Sequence, residues 1–146
     1  MRLLLIILFS SFLGSTIKWE TDFEKAKQTA LSENKFILLN FSGSDWCGPC
    51  IRLHKEIFES TVFEKYASES LVLLNADFPR LKKNQLSKEQ QKKNDLLAET
   101  YNQEGSFPLT LLLNAEGKIL KKWDGLPKGS PEEFTKQVKL LVDGNK

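Results

Sequence analysis

The residues with the most evident chemistry in this chain are its two cysteines, Cys47 and Cys50, which lie three positions apart. Two thiols at this spacing can form a redox-active disulfide, form a structural disulfide, or bind a metal ion together. A structural disulfide would close so short a loop that it would add little stability. A zinc site needs a third protein ligand, which the single histidine, His54, could supply one helical turn after Cys50. The cysteines therefore leave three interpretations open: a redox couple, a structural disulfide, or a copper or zinc site with His54.

The cysteines follow a predicted strand and begin a predicted helix. Residues 36–41 form an apolar run of strand length, and the turn-forming residues 42–45 follow it. Downstream, apolar residues recur at helical spacing, at Ile51, Leu53, Ile57 and Phe58. Cys47 therefore lies at the amino end of a helix. Unpaired N–H groups and the helix dipole favour a thiolate there, and the thiolate is the nucleophilic form of cysteine.

Three neighbours of the cysteines suit a site that receives another chain. Pro49 fits the first helical turn, because the N–H that it lacks would have no helical partner there. Gly48 has no side chain, so another backbone can approach it closely. Trp46 offers a flat apolar surface beside Cys47. These features suit thiol–disulfide exchange with another chain, and the three interpretations stay open at this point.

The sequence Trp46-Cys47-Gly48-Pro49-Cys50, after an apolar strand, resembles the active site of thioredoxins. Residues 40–47 are similar to those of secreted bacterial thioredoxin-like proteins. The resemblance implies a thiol–disulfide oxidoreductase without a cofactor, in which Cys47 attacks the disulfide of a protein substrate and Cys50 resolves the mixed disulfide. It also implies that Trp46, Gly48 and Pro49 contact the substrate. The Gly-Pro dipeptide resembles that of reducing thioredoxins and favours reduction over oxidation.

The remaining elements predict an α/β fold with a central mixed β-sheet flanked by helices on both faces. Apolar runs predict strands at residues 71–76, 109–113 and 118–123, with a hairpin turn at residues 115–117. Capping signals predict helices that begin at Thr21 with Glu24, at Ser60 or Thr61, at Ser87 with Gln90, and at Ser130 with Pro131. The order α-β-α-β-α-β-β-α resembles the thioredoxin fold over residues 18–143, and we expect one such domain at residues 17–146.

Phe107 and Pro108 directly precede the third predicted strand. In thioredoxin-like proteins a cis-proline at this place lies beside the redox pair, and the residue before it hydrogen-bonds the bound substrate strand. The resemblance therefore implies a cis Phe107-Pro108 bond and a substrate that lies across Trp46, Phe107 and Pro108. The alternative is an ordinary trans proline at the entry to a strand. Phe107 is bulkier than the aliphatic residue of thioredoxins and should reshape the substrate groove.

Two positions depart from the thioredoxin pattern beside the inner cysteine. Asn40 aligns with the buried aspartate that assists proton transfer at that cysteine, and Leu73 falls where thioredoxins carry a buried lysine. An asparagine takes up no proton at neutral pH, so Cys50 must be activated more slowly or through another group or water. The two replacements fit together, because losing the aspartate and the lysine at once leaves neither charge buried without its partner.

An insertion at residues 78–94 is strongly basic. Its charged residues are Arg80, Lys82, Lys83, Lys88, Lys92 and Lys93 against Glu89. Thioredoxins pass from strand to helix here with far fewer residues. Two interpretations stay open: a docking surface that steers an acidic partner, and a solvated extension of a helix.

Residues 1–16 have the layout of a secretory signal peptide, with Arg2 before an apolar run and small residues at its end. The run is shorter than the roughly 20 residues that a membrane-spanning helix needs. We therefore expect export to the periplasm or the medium, with an uncleaved leader as the alternative membrane anchor. In a bacterial periplasm a membrane reductase would supply electrons. The formal net charge of +2 gives no indication of nucleic-acid binding.

Overall fold

A computed structural model describes residues 17–146 of the chain; the predicted signal peptide, residues 1–16, lies outside the described residues. The strands are β1 Trp19–Glu20, β2 Phe36–Ser42, β3 Leu71–Asp77, β4 Leu109–Leu113 and β5 Ile119–Asp124. The helices are α1 Phe23–Glu33, α2 Gly48–Leu53, α3 Thr61–Ser70, α4 Lys88–Tyr101 and α5 Pro131–Asp143. A π-helical turn, His54–Phe58, extends α2, and a short 3-10 helix, Lys82–Asn84, precedes α4.

The strands form one mixed sheet in the order β1-β3-β2-β4-β5. The pairs β1–β3 and β2–β3 are parallel, whereas β2–β4 and β4–β5 are antiparallel. Ser42 and Asp77 are register partners at the carboxyl ends of β2 and β3. The segments that leave these two strands therefore start side by side at one edge of the sheet.

Helices cover both faces of the sheet, which confirms the predicted thioredoxin fold. Phe36 and Leu38 of β2 belong to the core beneath α2, α3 and α5. Ile37 and Leu39 point the other way and belong to the core beneath α1 and α4. Strand β2 is therefore buried on both faces, which explains its continuous apolar run.

The helix caps confirm the predicted starts of α3, α4 and α5 and correct that of α1. Ser60 and Ser130 cap α3 and α5, and Ser130 forms a complete capping box with Glu133. Helix α1 begins after Asp22, whose side chain accepts a hydrogen bond from Lys25 N at 3.0 Å. The predicted start at Thr21 was therefore wrong by one residue, because the extended backbone after β1 continues through Asp22.

The predicted reciprocal box at the start of α4 was also wrong. Ser87 does accept a hydrogen bond from Gln90 N. The Gln90 side chain, however, donates to Thr21 O at 2.8 Å and to Asn94 Oδ1 at 2.9 Å. A tertiary contact with the segment before α1 replaces the local one, so Gln90 joins α4 to the amino end of the domain.

Candidate active site

Cys47 and Cys50 form a disulfide at the start of α2, with their Cα atoms 5.2 Å apart. Cys47 is the N-cap residue, and its Sγ accepts a hydrogen bond from Cys50 N at 3.3 Å. The exposed fraction is 5% for Cys47 and 1% for Cys50. Both residues are therefore buried, and Cys47 is the slightly more exposed of the two.

The rim of the disulfide is formed by the exposed residues Gly48 and Pro49. A Cβ atom added at Gly48 would meet no other atom within 4 Å, so the space beside it is open. Pro49 lies in the first turn of α2, as its missing N–H predicts. The predicted substrate-contact residues thus leave a free approach to the sulfurs from this side.

The turn before Cys47 is joined to the segment after β3 by hydrogen bonds. Ser44 donates through N and Oγ to the two carboxylate oxygens of Asp77, at 2.9 and 2.6 Å. Asp45 accepts from the backbone N–H groups of Arg80 and Leu81 at 2.9 and 3.0 Å. Its second oxygen also accepts from Asn84 Nδ2 at 3.0 Å. Since the bond from Arg80 N–H favours the charged carboxylate most, it holds the pKa of Asp45 below its usual value.

Trp46 is held on several sides. Its Nε1 donates to Phe78 O at 2.7 Å. The Phe107 ring meets the indole edge-on, with the ring centroids 5.5 Å apart. The Arg80 guanidinium lies over the indole, 3.6 Å from its centroid. A Cβ atom at Gly43 would overlap the indole ring, so glycine is required there. Trp46 is therefore fixed beside Cys47.

The Phe107-Pro108 bond is cis, which confirms the implication of the resemblance. Pro108 is buried, and its carbonyl oxygen accepts a hydrogen bond from Gly125 N at 2.9 Å. The half-buried Phe107 ring packs against both Trp46 and Phe78, at 5.5 Å from each centroid. The bulk of Phe107 thus completes an aromatic cluster next to the disulfide.

Two amides, Asn40 and Asn75, lie side by side on neighbouring strands of the sheet. Asn40 is fully buried, and its Nδ2 donates to Thr110 Oγ1 at 3.0 Å and to Leu109 O at 3.4 Å. Its register partner on β3 is Asn75. Among residues 17–146, the Oδ1 atoms of both asparagines are buried without a hydrogen-bond partner. Leu73 is also buried, in the core beneath α2 and α3, so this part of the site has no fixed charge of its own.

A cleft of about 290 Å³ opens on the inner side of the disulfide, and Cys50, Asn75, His54 and Glu59 contribute to its lining. The His54 ring packs against Trp19 and Phe58, at 5.1 and 5.2 Å between centroids. Burial lowers the pKa of His54, while the negative charges of Glu59 and Asp77 oppose this effect. Cys50 and His54 therefore line the same cleft.

The metal interpretation finds no ligand set in the described part of the chain. There, no three side chains of histidine, cysteine, aspartate or glutamate are placed to hold a metal ion. The His54 ring packs against the rings of Trp19 and Phe58, which also contact each other, and the two sulfurs are bonded to each other. The structure therefore brings together the predicted redox pair but gives His54 an aromatic environment.

Three residues of this region escaped sequence reasoning as parts of the site: Asp45, Asp77 and the stacked Arg80. Asp45 was assigned only to a turn, and Arg80 was only one cation of the basic insertion. The one local signal for the role of Asp45 was its place in a turn directly before Trp46, because aspartates in loops often accept hydrogen bonds from backbone N–H groups. Its partners lie 35 to 39 residues away, however, so spacing along the chain could not reveal them.

Known proteins resemble this chain in sequence and in structure. Residues 23–141 match the thioredoxin-like domain family. The chain is 34% identical over 129 residues to the disulfide bond reductase DsbH of Chlamydia pneumoniae, covering 88% of this chain and 75% of that protein. A solved DsbH oxidoreductase structure superposes with a TM-score of 0.78 at 32% identity, covering 88% of this chain and 86% of the other.

A thioredoxin from Thermus thermophilus shares the fold, with a TM-score of 0.65 at 12% identity and coverage of 86% of each chain. Across residues 17–146, no helix is long and apolar enough to cross a membrane.

Proposed function

This chain belongs to the thioredoxin-like domain family and is a thiol–disulfide oxidoreductase, and we propose that it reduces disulfides in exported proteins. The observation that carries the proposal is the Cys47–Cys50 disulfide at the start of α2, in which Cys47 is the N-cap residue. The Gly48-Pro49 dipeptide, shared with reducing thioredoxins, supports the direction. So does similarity to a protein named as a disulfide bond reductase.

In the proposed reaction the dithiol form of the protein acts on a substrate disulfide. The Cys47 thiolate attacks one substrate sulfur, a mixed disulfide forms, and the other substrate sulfur leaves as a thiolate. The Cys50 thiolate then attacks Cys47 Sγ and releases the first substrate sulfur. Two electrons and two protons pass to the substrate, which becomes a dithiol, and the protein is left with the disulfide of the structure.

The substrate segment is proposed to lie along the aromatic side of the disulfide. The open space beside Gly48 and the exposed Pro49 admit a backbone to Cys47. Trp46 and Phe107 supply a rigid apolar wall, and Pro108 lies at the entry to β4. An extended segment there is held by main-chain hydrogen bonds and apolar contact, which suits many different substrates.

Cys50 is proposed to exchange its proton with water in the inner cleft. The buried Asn40 offers no carboxylate for this transfer, but Cys50 and His54 line a common space. Burial favours the neutral form of His54, which can accept a proton. This route replaces the buried aspartate of thioredoxins, and it makes the resolving step depend on solvent access.

The location and the electron donor complete the proposal. We assign residues 1–16 to a signal peptide and residues 17–146 to a thioredoxin-like domain. This assignment rests on Arg2 and the apolar run that follows it. In an exporting bacterium the domain would work in the periplasm and receive electrons from a membrane reductase. Its clients would be exported proteins with disulfides.

The direction of the reaction is tested by equilibrating the protein in glutathione buffers of graded potential. A reductase is expected to have a potential near the value of about −270 mV that thioredoxin shows. A potential near about −120 mV, as in a strong periplasmic oxidant, would overturn the reductase assignment. Cys47→Ser, which cannot form the intramolecular disulfide, is the control for the signal.

A further inference from the structure

The guanidinium of Arg80 lies on the face of Trp46, 3.6 Å from the ring centroid. The Arg80 residue is exposed, and within residues 17–146 no carboxylate forms an ion pair with it. A stacked guanidinium uses its flat face for the indole and keeps its N–H edge free. That edge has the geometry to bind a carboxylate through two parallel hydrogen bonds.

The backbone that carries Arg80 is held in place before any ligand arrives. Asp45 accepts hydrogen bonds from Arg80 N and Leu81 N, and Trp46 Nε1 donates to Phe78 O. Ser44 and Asp77 join the same two segments at their start. A group that is already ordered loses less conformational entropy on binding, so Arg80 is preorganised to receive a ligand.

The charges around Arg80 favour an acidic ligand. Lys82 and Lys83 follow in the exposed 3-10 helix, and no carboxylate in the described structure forms an ion pair with either. Lys93, by contrast, is neutralised by Asp22 at 2.9 Å and Glu89 at 3.3 Å. Asp45 and Asp77 carry negative charge nearby, but their oxygens already accept bonds from the turn and its neighbours.

We propose that Arg80, on its Trp46 platform, binds an aspartate or glutamate side chain next to the reacting cysteine of the substrate. The inference rests on the proposed function and names a substrate class within it: disulfides flanked by acidic residues. The basic insertion thereby divides into two parts. Its first residues, with Arg80, border the aromatic side of the disulfide, whereas Lys93 is a structural residue that joins α4 to Asp22.

The test uses short peptides with one central cysteine, oxidised to disulfide-linked dimers. Three versions carry acidic, neutral amide or basic residues on both sides of the cysteine. The full protein is reduced and mixed with each peptide, and acid-quenched samples are separated to give single-turnover rates. We expect the acidic peptide to react roughly fivefold faster than the neutral one at low salt, as fits a favourable exposed ion pair. The ratio should shrink in high salt, and the basic peptide should be slowest.

The variants Arg80→Gln and Arg80→Lys identify the residue responsible. The acidic-to-neutral rate ratio should fall to about one in Arg80→Gln and to an intermediate value in Arg80→Lys, which keeps the charge but not the planar fork. Lys136→Gln removes the same charge from the exposed surface of α5 and should leave the ratio unchanged. Thermal unfolding of each variant checks that the fold is retained.

Two results would overturn the inference while the proposed function stands. One is a wild-type protein that reduces all three peptides equally fast. The other is an Arg80→Gln variant that keeps the wild-type ratio, including the case in which it slows every peptide by the same factor. That last pattern would mean that Arg80 acts on Cys47 and not on the substrate. A wild-type protein that reduces no peptide would instead count against the proposed function.

Discussion

Replacing Asn40 with aspartate restores the residue that thioredoxins carry, yet we expect it to destabilise this protein in a pH-dependent way. Asn40 is fully buried and donates through Nδ2 to Leu109 O and Thr110 Oγ1. An ionised aspartate has no donor, so its carboxylate would face the Leu109 carbonyl oxygen. Leu73, at the position where the resemblance implies a lysine in thioredoxins, is a core residue and supplies no charge to compensate it.

The magnitude follows from the burial of an unpaired charge. Burial of this kind raises the pKa of a carboxyl group by roughly 3 units, and each unit corresponds to about 1.4 kcal/mol. The pKa in the folded state would therefore lie above that in the unfolded state. The part of the loss that comes from ionisation is small at and below about pH 4, grows as the pH rises toward the folded pKa, and is constant above it. We expect a loss of about 1 kcal/mol at pH 4, from the altered hydrogen bonds, and about 5 kcal/mol at pH 8.

Urea unfolding of the oxidised protein at pH 4, 6 and 8 measures this difference between variant and wild type. Asn40→Leu is the uncharged control, and its loss of stability should not change with pH. Adding Leu73→Lys to Asn40→Asp should recover part of the loss at pH 8, because a cation is supplied on the same face of the sheet. An equal loss for Asn40→Asp at all three pH values would refute the reasoning, since the site would then accept a carboxylate without a partner.

Three further predictions concern the turn, the histidine and the cysteines. Gly43→Ala should lower the free energy of unfolding by about 1–3 kcal/mol in urea titrations, because the new Cβ overlaps the indole of Trp46. Since burial lowers the pKa of His54, the unfolded chain binds a proton more readily below about pH 6.5. Wild-type stability should therefore fall as the pH drops from that value, and this slope should be smaller in His54→Gln. Cys50→Ser should accumulate mixed disulfides with exported proteins on non-reducing gels, because Cys47 can still attack but nothing resolves the product.

Each of these predictions has a matched control or a contrary outcome. Gly48→Ala adds the same methyl group in open space and should cost much less stability than Gly43→Ala. An unchanged acid slope in His54→Gln would assign that slope to other groups. Cys47→Ser is the control for trapping. If it captured as many proteins as Cys50→Ser, Cys47 would not be the attacking cysteine.

The sequence alone predicted the features that depend on neighbouring residues. The strand-length runs, the helix after Cys47 and the caps at Ser60 and Ser130 all follow from local patterns, and the structure confirms them. The resemblance of the cysteine motif to that of thioredoxins also predicted the fold and the cis peptide bond between Phe107 and Pro108. These features are local or are carried by a motif, so they can be read in order along the chain.

Tertiary pairing decided the elements that local patterns could not predict. Strand β1 has only the residues Trp19–Glu20, too few for a periodic signal, and it exists because it pairs with β3. That pairing keeps the next residues extended, so α1 begins after Asp22 and not at Thr21. The π-helical turn around His54 likewise lies where Trp19 and Phe58 pack on the imidazole ring.

The surroundings of the disulfide separate these two kinds of information most clearly. The sequence by itself determined that Cys47 and Cys50 can form a disulfide, since two cysteines at the start of a helix need only their own segment to meet. Only the tertiary structure placed the guanidinium of Arg80 on Trp46 and brought the Asp45 carboxylate into hydrogen-bond contact with the backbone N–H of Arg80. The physical reason is the parallel register of β2 and β3. Because the two strands end side by side at Ser42 and Asp77, the segments that follow them meet although they are far apart in the chain.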